Sequence, residues 1–354
     1  MSDDSARLPA PANAPRARRA GAGVTVHDVA RVAQVSAITV SRAVNAPERL
    51  LPETLARVRA AIAETGYVPN LLAKQLNANR SAHLVAALVP TLTGTVFSGM
   101  IQSLTDTLDA RGYQLLLGQS GYAHPREDEL LDALIGRRPD GIVLTGVHHS
   151  DLARRRLRAA GIPVVETWDL TDDPIDMVVG FSHADVGRRV CEALHARGYR
   201  RLALITATDT RAEQRCAAFI TRATELGLPV PQQVSVEAPP TRLGHGREAL
   251  ARLWAQAQPP DAVFCSSDIM ALGVLIEAGA RGIDVPRQLG VVGFGDLEFA
   301  ASAPPALSSV RVDGPAIGAT AATLLLACAR GEAPAPRRVD VGFTVIERAS
   351  TISG

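Results

Sequence analysis

The sequence predicts two unlike parts. An N-terminal all-α headpiece with a helix-turn-helix and a following hinge helix precedes a two-lobed α/β core of parallel sheets with helices on both faces. Three observations carry this reading. Residues 24–66 hold three short helical patterns, the first two closely joined. From residue 83 onward, short apolar runs alternate with amphipathic helical stretches. Positive charge gathers at the front: residues 1–23 carry +2 and residues 24–80 carry +3, which leaves about −4 for the remainder of a chain with net charge +1. A cationic front end is what phosphate contacts require.

A chain of 354 residues suits two or three domains. At 47% apolar and 21% charged residues it can bury sizeable cores and reads as soluble and globular. No apolar run approaches the roughly 18 residues of a membrane span, and residues 1–23 lack the apolar core of a signal peptide. A cytoplasmic protein without membrane association is expected. Cys191, Cys216, Cys265 and Cys328 lie far apart without metal-ligand spacing, so reduced, mostly buried thiols and no metal site are expected.

Residues 1–23, rich in Ala, Pro, Arg and Gly, cannot bury enough surface to order themselves and are read as a disordered basic tail. Residues 24–69 form the helix-turn-helix domain. Thr25 caps a first helix with Asp28 as its partner, and Val26, Val29, Ala30 and Ala33 fall at helical spacing. Gln34-Val35 makes the turn and Ser36 caps the second helix. Val40 and Val44 face inward there, while Ala37, Ile38, Ser41 and Arg42 can face out. Pro52 opens a third helix, which Gly66 stops. Residues 70–80 are the hinge, and 81–354 the core. There the predicted strands are 84–90, 113–120, 140–146, 162–167, 201–206, 234–238, 262–267 and 289–294. Helices over 97–111, 127–138, 152–160, 184–197 and 212–226 alternate with them, the rhythm of a parallel sheet covered on both faces.

The stretch VTVHDVARVAQVSAITVSRAVN (24–45), followed by Tyr67-Val68-Pro69-Asn70 and a hinge containing Leu76, closely resembles the lactose-repressor (LacI-type) family of transcription regulators. The resemblance implies a sequence-specific DNA-binding regulator, most simply a repressor. In that family the hinge folds on operator DNA, and a leucine matched here by Leu76 wedges into the minor groove, where unstacking is offset by a bent, better-wrapped site. Thr25, Ser36, Thr39, Ser41, Asn45 and Asn70 match phosphate-contacting positions. Arg42 matches the base-reading arginine. Ala37 and Ile38 occupy the variable front of the recognition helix and can offer only apolar contact. The partners implied are a near-palindromic operator, a second copy of the chain in a homodimer, and a small effector. Helices near 98–110 and 315–328 are the expected dimer interface.

The resemblance also implies a core like a periplasmic sugar-binding protein, with the chain crossing between lobes near Arg197, Val310 and Val341. Lobe 1 then covers about 81–197 and 311–340, and lobe 2 about 198–310 and 341–354. Ligands of such sheets bind beyond the strand carboxyl ends. RCAAF (215–219) matches the family's R-x-x-G-F, which makes Arg215 an effector contact, with Ala218 in place of the glycine. In CSSDIMALG (265–273), Ser267 is an expected effector contact and Asp268 a helix-start cap. In GFGDLEFA (293–300) the family's sugar-binding acid is replaced by Gly295. Phe97 and Glu166 are expected to line the cleft from lobe 1. No aromatic residue lies near Thr241, where many members stack one on a pyranose.

Keeping Arg215 while losing the acid favours an anionic effector, because an unpaired cleft carboxylate would repel one. LLLGQSGYAHPRED (115–128), PVVETWD (163–169), VGFSHADVGR (179–188) and VDVGFTV (339–345) resemble the gluconate-utilisation branch. A sugar acid such as gluconate or a keto-gluconate is therefore expected, with a neutral sugar or a nucleobase as the alternative. A solute-binding protein without DNA function leaves the cationic headpiece unexplained. No glycine-rich phosphate loop, metal-ligand cluster or nucleophile elbow points to an enzyme, and no cofactor is expected.

Overall fold

The structure is a computed structural model that describes residues 24–68, 82–93, 95–122, 124–236 and 240–352. The expected basic tail and the hinge, with Asn70 and Leu76, lie outside the described residues. The chain divides into two units, residues 1–80 and 81–354.

In the first unit, α1 (Val26–Ala33), α2 (Ala37–Asn45) and α3 (Pro52–Thr65) pack around Val29, Val40 and Val58, all fully buried. At the start of α1, the Thr25 backbone N–H and hydroxyl both donate to Asp28 Oδ2, at 3.0 and 2.8 Å. The hydroxyl thus goes to the carboxylate rather than acting as a cap acceptor. Those two bonds, the backbone one foremost, and Arg31 hold the Asp28 carboxyl down at about 2. Gln34 ends α1 in the left-handed region (φ 52), and the Val35 N–H returns to Ala30 O at 3.0 Å. Ser36 Oγ then accepts the Thr39 N–H at 3.1 Å and starts α2. Pro52 opens α3, and Gly66 closes it at φ 66, where a side chain would be strained.

The second unit contains two sheets. In chain order the first run is β1 (Leu84–Val89), α4 (Ser98–Asp109), β2 (Gln114–Gln119), α5 (His124–Ile135), β3 (Gly141–Thr145), α6 (Asp151–Ala160), β4 (Val164–Thr167) and β5 (Met177–Gly180). After α7 (His183–Ala196) comes β6 (Leu202–Ala207), α8 (Thr210–Glu225), β7 (Gln232–Val236), α9 (Leu243–Trp254), β8 (Ala262–Cys265), α10 (Asp268–Ala280), β9 (Gly290–Phe294) and β10 (Ser308–Arg311). The chain ends with α11 (Gly314–Ala329), β11 (Arg338–Asp340) and β12 (Thr344–Ile346). The first sheet has the order β11-β5-β4-β3-β1-β2 and the second β12-β10-β9-β8-β6-β7. Pairing is parallel throughout, except that β12 runs antiparallel to β10.

The chain therefore passes between lobes after β5, between β10 and α11, and between β11 and β12. The first passage falls earlier than Arg197, because α7 already packs on the second sheet. Its Val190 and Leu194 sit with Val292 and Val345, and Arg197 holds Glu347 with two hydrogen bonds at 2.9 and 2.8 Å. α7 lies so close to α8 that a Cβ on Gly187 would collide with the Arg215 and Phe219 backbone. α11 is spent inside the first lobe. Gly318 meets the Met100 backbone of α4, Leu325 covers Gly141 of β3, and only Pro315, Thr323 and Ala329 are exposed. The interface role expected of 315–328 has little surface left to use.

Candidate effector cleft and DNA-reading helix

Functional side chains gather in two places. The first is the outer face of α2. Ile38 is 65% exposed and Arg42 stands out from the helix with no ion-pair partner among the described residues. Arg31, by contrast, is held by Asp28 at 3.0 Å. Ser36 and Thr39 share a hydroxyl hydrogen bond of 2.9 Å, and Asn45 Nδ2 donates to Ser41 Oγ at 3.3 Å. Thr25 stands at the start of α1. Ala37 differs from expectation: it packs partly against the headpiece core, so Ile38 is the more outward of the two front positions. Such a face can place an arginine fork on a guanine edge, hydroxyls on phosphates and an apolar side chain on a thymine methyl.

The second place is a cavity of about 430 Å³ between the two sheets' strand ends, a size typical of small-molecule sites. Its walls come from the segments that follow β1, β2 and β4 to β9. Phe97 is part of the wall, edge-on to Trp168 with ring centroids 5.1 Å apart. Arg215, on α8, is only 4% exposed and lies over the Phe294 ring, 4.1 Å from its centroid. Its Nη1 donates to His183 Nδ1 at 2.9 Å and its Nη2 reaches Ser266 O at 3.5 Å. Its Nε finds no partner. The other His183 nitrogen, Nε2, donates to Trp168 O at 2.8 Å, which leaves Nδ1 as the acceptor that Arg215 needs. Burial foremost, then the charges of Arg215 and Arg211, hold the His183 imidazole well below its usual value, so it is neutral.

Ser267 lines the cavity and pairs with the Thr241 hydroxyl at 2.9 Å. It is also the cap of α10, accepting the Met270 N–H at 3.4 Å. Asp268 therefore is not that cap. It accepts the Leu297 N–H at 2.7 Å and the Ser309 hydroxyl at 2.6 Å, and burial pushes its carboxyl up to about 6. Gly295 sits at φ +124, a conformation that an acid in its place would resist, and its missing Cβ would point within 3.6 Å of Asp268 Oδ2.

Glu166 is a correction. It does not line the cavity. Glu166 lies within β4, fully buried, and only Trp168 beyond the end of that strand reaches the cavity wall. It accepts the Ile175 N–H at 2.6 Å and faces His149 Nε2 at 3.5 Å, while Nδ1 of the same ring donates to Glu127. Burial works against a charged His149, but the hydrogen bonds it donates to Glu127 and Glu166 outweigh it and bring the imidazole up to about 9. Sequence reasoning also missed Arg211. It precedes Arg215 by one helical turn, the spacing that could have revealed it, and lines the same cavity over the Phe97 ring at 5.5 Å. The aromatic surface absent near Thr241 is supplied by Phe97, Trp168 and Phe294.

Residues 25–70 match the profile of bacterial regulatory proteins of the lacI family, and residues 191–351 that of a periplasmic binding protein-like domain. The HTH-type transcriptional regulator GntR of Pseudomonas aeruginosa is 37% identical over 92% of this chain and 95% of its own length. The chain belongs to the LacI family. The GntR regulator of Escherichia coli K12 is 32% identical over 90% of this chain and 96% of its own. A solved LacI-family regulator from Silicibacter pomeroyi superposes with a TM-score of 0.88 at 30% identity, covering 93% of this chain and 99% of that one. As a LacI-family member this is a DNA-binding transcriptional regulator, with a helix-turn-helix headpiece and a periplasmic-binding-protein-like core. Its relatives are regulators rather than enzymes. Among the described residues no helix is long and apolar enough to cross a membrane, and no cluster of His, Cys, Asp or Glu could hold a metal ion.

Proposed function

We propose that this LacI-family regulator is a repressor acting as a cytoplasmic homodimer. A sugar acid of the gluconate or keto-gluconate type, bound between its lobes, controls operator binding. The observation that carries the effector is Arg215: a buried guanidinium with no ion-pair partner among the described residues and an unsatisfied Nε at the cavity wall. Taking a charge out of water costs several kcal/mol unless a partner is supplied. A ligand carboxylate supplies it through charge-assisted hydrogen bonds. Similarity to regulators named GntR agrees with the gluconate-like motifs. Phe97 and Ser267 complete the contacts. One feature favours a second reading, a neutral sugar or nucleobase: the aromatic wall of Phe97, Trp168 and Phe294, on which a ring can stack.

On DNA, two headpieces (24–69) read the halves of a near-palindromic operator, since one such unit covers too little surface for tight specific binding. Arg42 reads a base and Ile38 with Ala37 offers apolar contact. Thr25, Ser36, Thr39, Ser41, Asn45 and Asn70 hold phosphates, and Leu76 of the hinge (70–80) enters the minor groove. The effector acts through its different affinities for the operator-competent and incompetent arrangements of the lobes.

A thermal-shift comparison tests the effector. A ligand bound only by the native state raises the melting point, so D-gluconate should do so for the wild-type chain and not for Arg215→Gln. A response to glucose or guanine alone would overturn the sugar-acid reading.

A further inference from the structure

Arg215 is not the only arginine turned into the cavity. Arg211 and Arg215 lie one helical turn apart on α8, so their side chains leave the same face. They then diverge. Arg211 stacks over Phe97 at 5.5 Å, and Arg215 over Phe294 at 4.1 Å. Those two rings are the ends of a row of four. Centroids are 5.1 Å apart from Phe97 to Trp168, 6.0 Å from Trp168 to Phe181 and 6.2 Å from Phe181 to Phe294. The two guanidiniums therefore rest on the first and last rings of that row, of which Phe97, Trp168 and Phe294 line the cavity. Each keeps an unsatisfied N–H group, Nη1 on Arg211 and Nε on Arg215. Among the described residues the ion pair at either is with Asp209, 3.8 Å from Arg211 Nε, whose Oδ1 also accepts the Ala212 N–H at the start of α8; the buried Asp169 acts on both guanidiniums through its charge. Thr91, Thr93 and Ser267 add hydroxyl-bearing side chains to the same cavity lining.

A ligand with one carboxylate satisfies one end of this row and leaves a desolvated guanidinium N–H at the other. We propose that the effector is a doubly anionic sugar acid, with a carboxylate on Arg215 and a second acidic group, at the far end of its carbon chain, on Arg211. This rests on the sugar-acid reading of the cleft and narrows it. The cavity's hydroxyls meet the polyol chain. The second acid is either a carboxylate or a phosphate ester, since a guanidinium fork accepts both.

Isothermal titration of the full chain with D-gluconate, D-glucarate and 6-phospho-D-gluconate separates the possibilities. At least one dianion should bind about tenfold or more tightly than D-gluconate, and the tighter of the two identifies the second group. Arg211→Gln should erase that preference by weakening the favoured dianion about tenfold more than D-gluconate. Arg211→Lys should keep part of it, and operator affinity without ligand should be unchanged in both variants. Equal affinity for D-gluconate and both dianions, or a preference that survives Arg211→Gln, overturns the inference and leaves the sugar-acid reading standing. Binding of glucose or guanine with no sugar acid bound overturns that reading and this inference together.

Discussion

Arg42 and Arg215 are both arginines on helices, and their surroundings give them different tasks. Arg42 is exposed, with no ion-pair partner among the described residues, which suits the base-reading role proposed for it. Replacing it with Ala should cost about 1–3 kcal/mol of operator affinity and relax preference at one base pair. Fluorescence anisotropy across single-base operator variants checks this, and an unchanged preference profile would remove its reading role. Arg215 was legible through its R-x-x-G-F match, but its neutral His183 acceptor was not, because that contact joins residues far apart in sequence. Glu166 shows the limit at this scale. Glu166 and Thr167, of opposite parity, are both buried inside β4, and the cavity begins with Trp168 just past its end, so the exact end of the strand decides which residue reaches the cleft. The structure pairs Glu166 with His149 instead, which makes a pH prediction. An unfolded imidazole titrates near 6.5, whereas His149 is brought to about 9 in the fold. The folded state therefore binds this proton more tightly. Its stabilisation, about 3 kcal/mol at most, is complete below pH ~6.5 and lost as pH rises through 9. Urea unfolding across that window should show the decline in the wild type and a flatter profile in His149→Gln.

The elements most legible in the sequence were those with their own start and stop signals. Ser36, Pro52 and Gly66 mark the headpiece helices where the structure has them. The core strands between β1 and β9 emerged from apolar runs, except β5. β5, β10, β11 and β12 have only three or four residues each and draw their pairing from distant segments, so local pattern is silent about them. The same is true of α7. Its amphipathic pattern predicts a helix but not which sheet it covers. The close approach of α7 to α8 depends on Gly187. Gly187→Ala should destabilise the core by about 1–3 kcal/mol through overpacking and weaken gluconate binding by moving Arg215. A variant with wild-type melting temperature and ligand affinity would show that the two helices can separate freely.

At the scale of the whole molecule, the alternating rhythm, the helix-turn-helix pattern and the family resemblance together predicted a DNA-binding headpiece followed by a two-lobed core. The cleft was only partly legible. Phe97, Arg215 and Ser267 came from resemblance, and the structure brings all three to one cavity. His183 and Trp168 reach it because strand ends from two sheets converge there, a tertiary fact with no local signature, whereas Arg211 had one in its one-turn spacing from Arg215. On the proposed function, an acid bound at Arg215 changes how the headpieces hold DNA. An effector can shift that equilibrium only as far as it discriminates between the two states. Replacing Arg215 should therefore uncouple the lobes' ligand from the operator without weakening the DNA contacts themselves. The direct measurement is operator affinity of the wild type and of Arg215→Gln, each with and without saturating D-gluconate. The account predicts a shift of about tenfold or more in the wild type, little or none in the variant, and equal affinities for both without ligand. No gluconate effect on the wild type, or the same shift in both proteins, would contradict it.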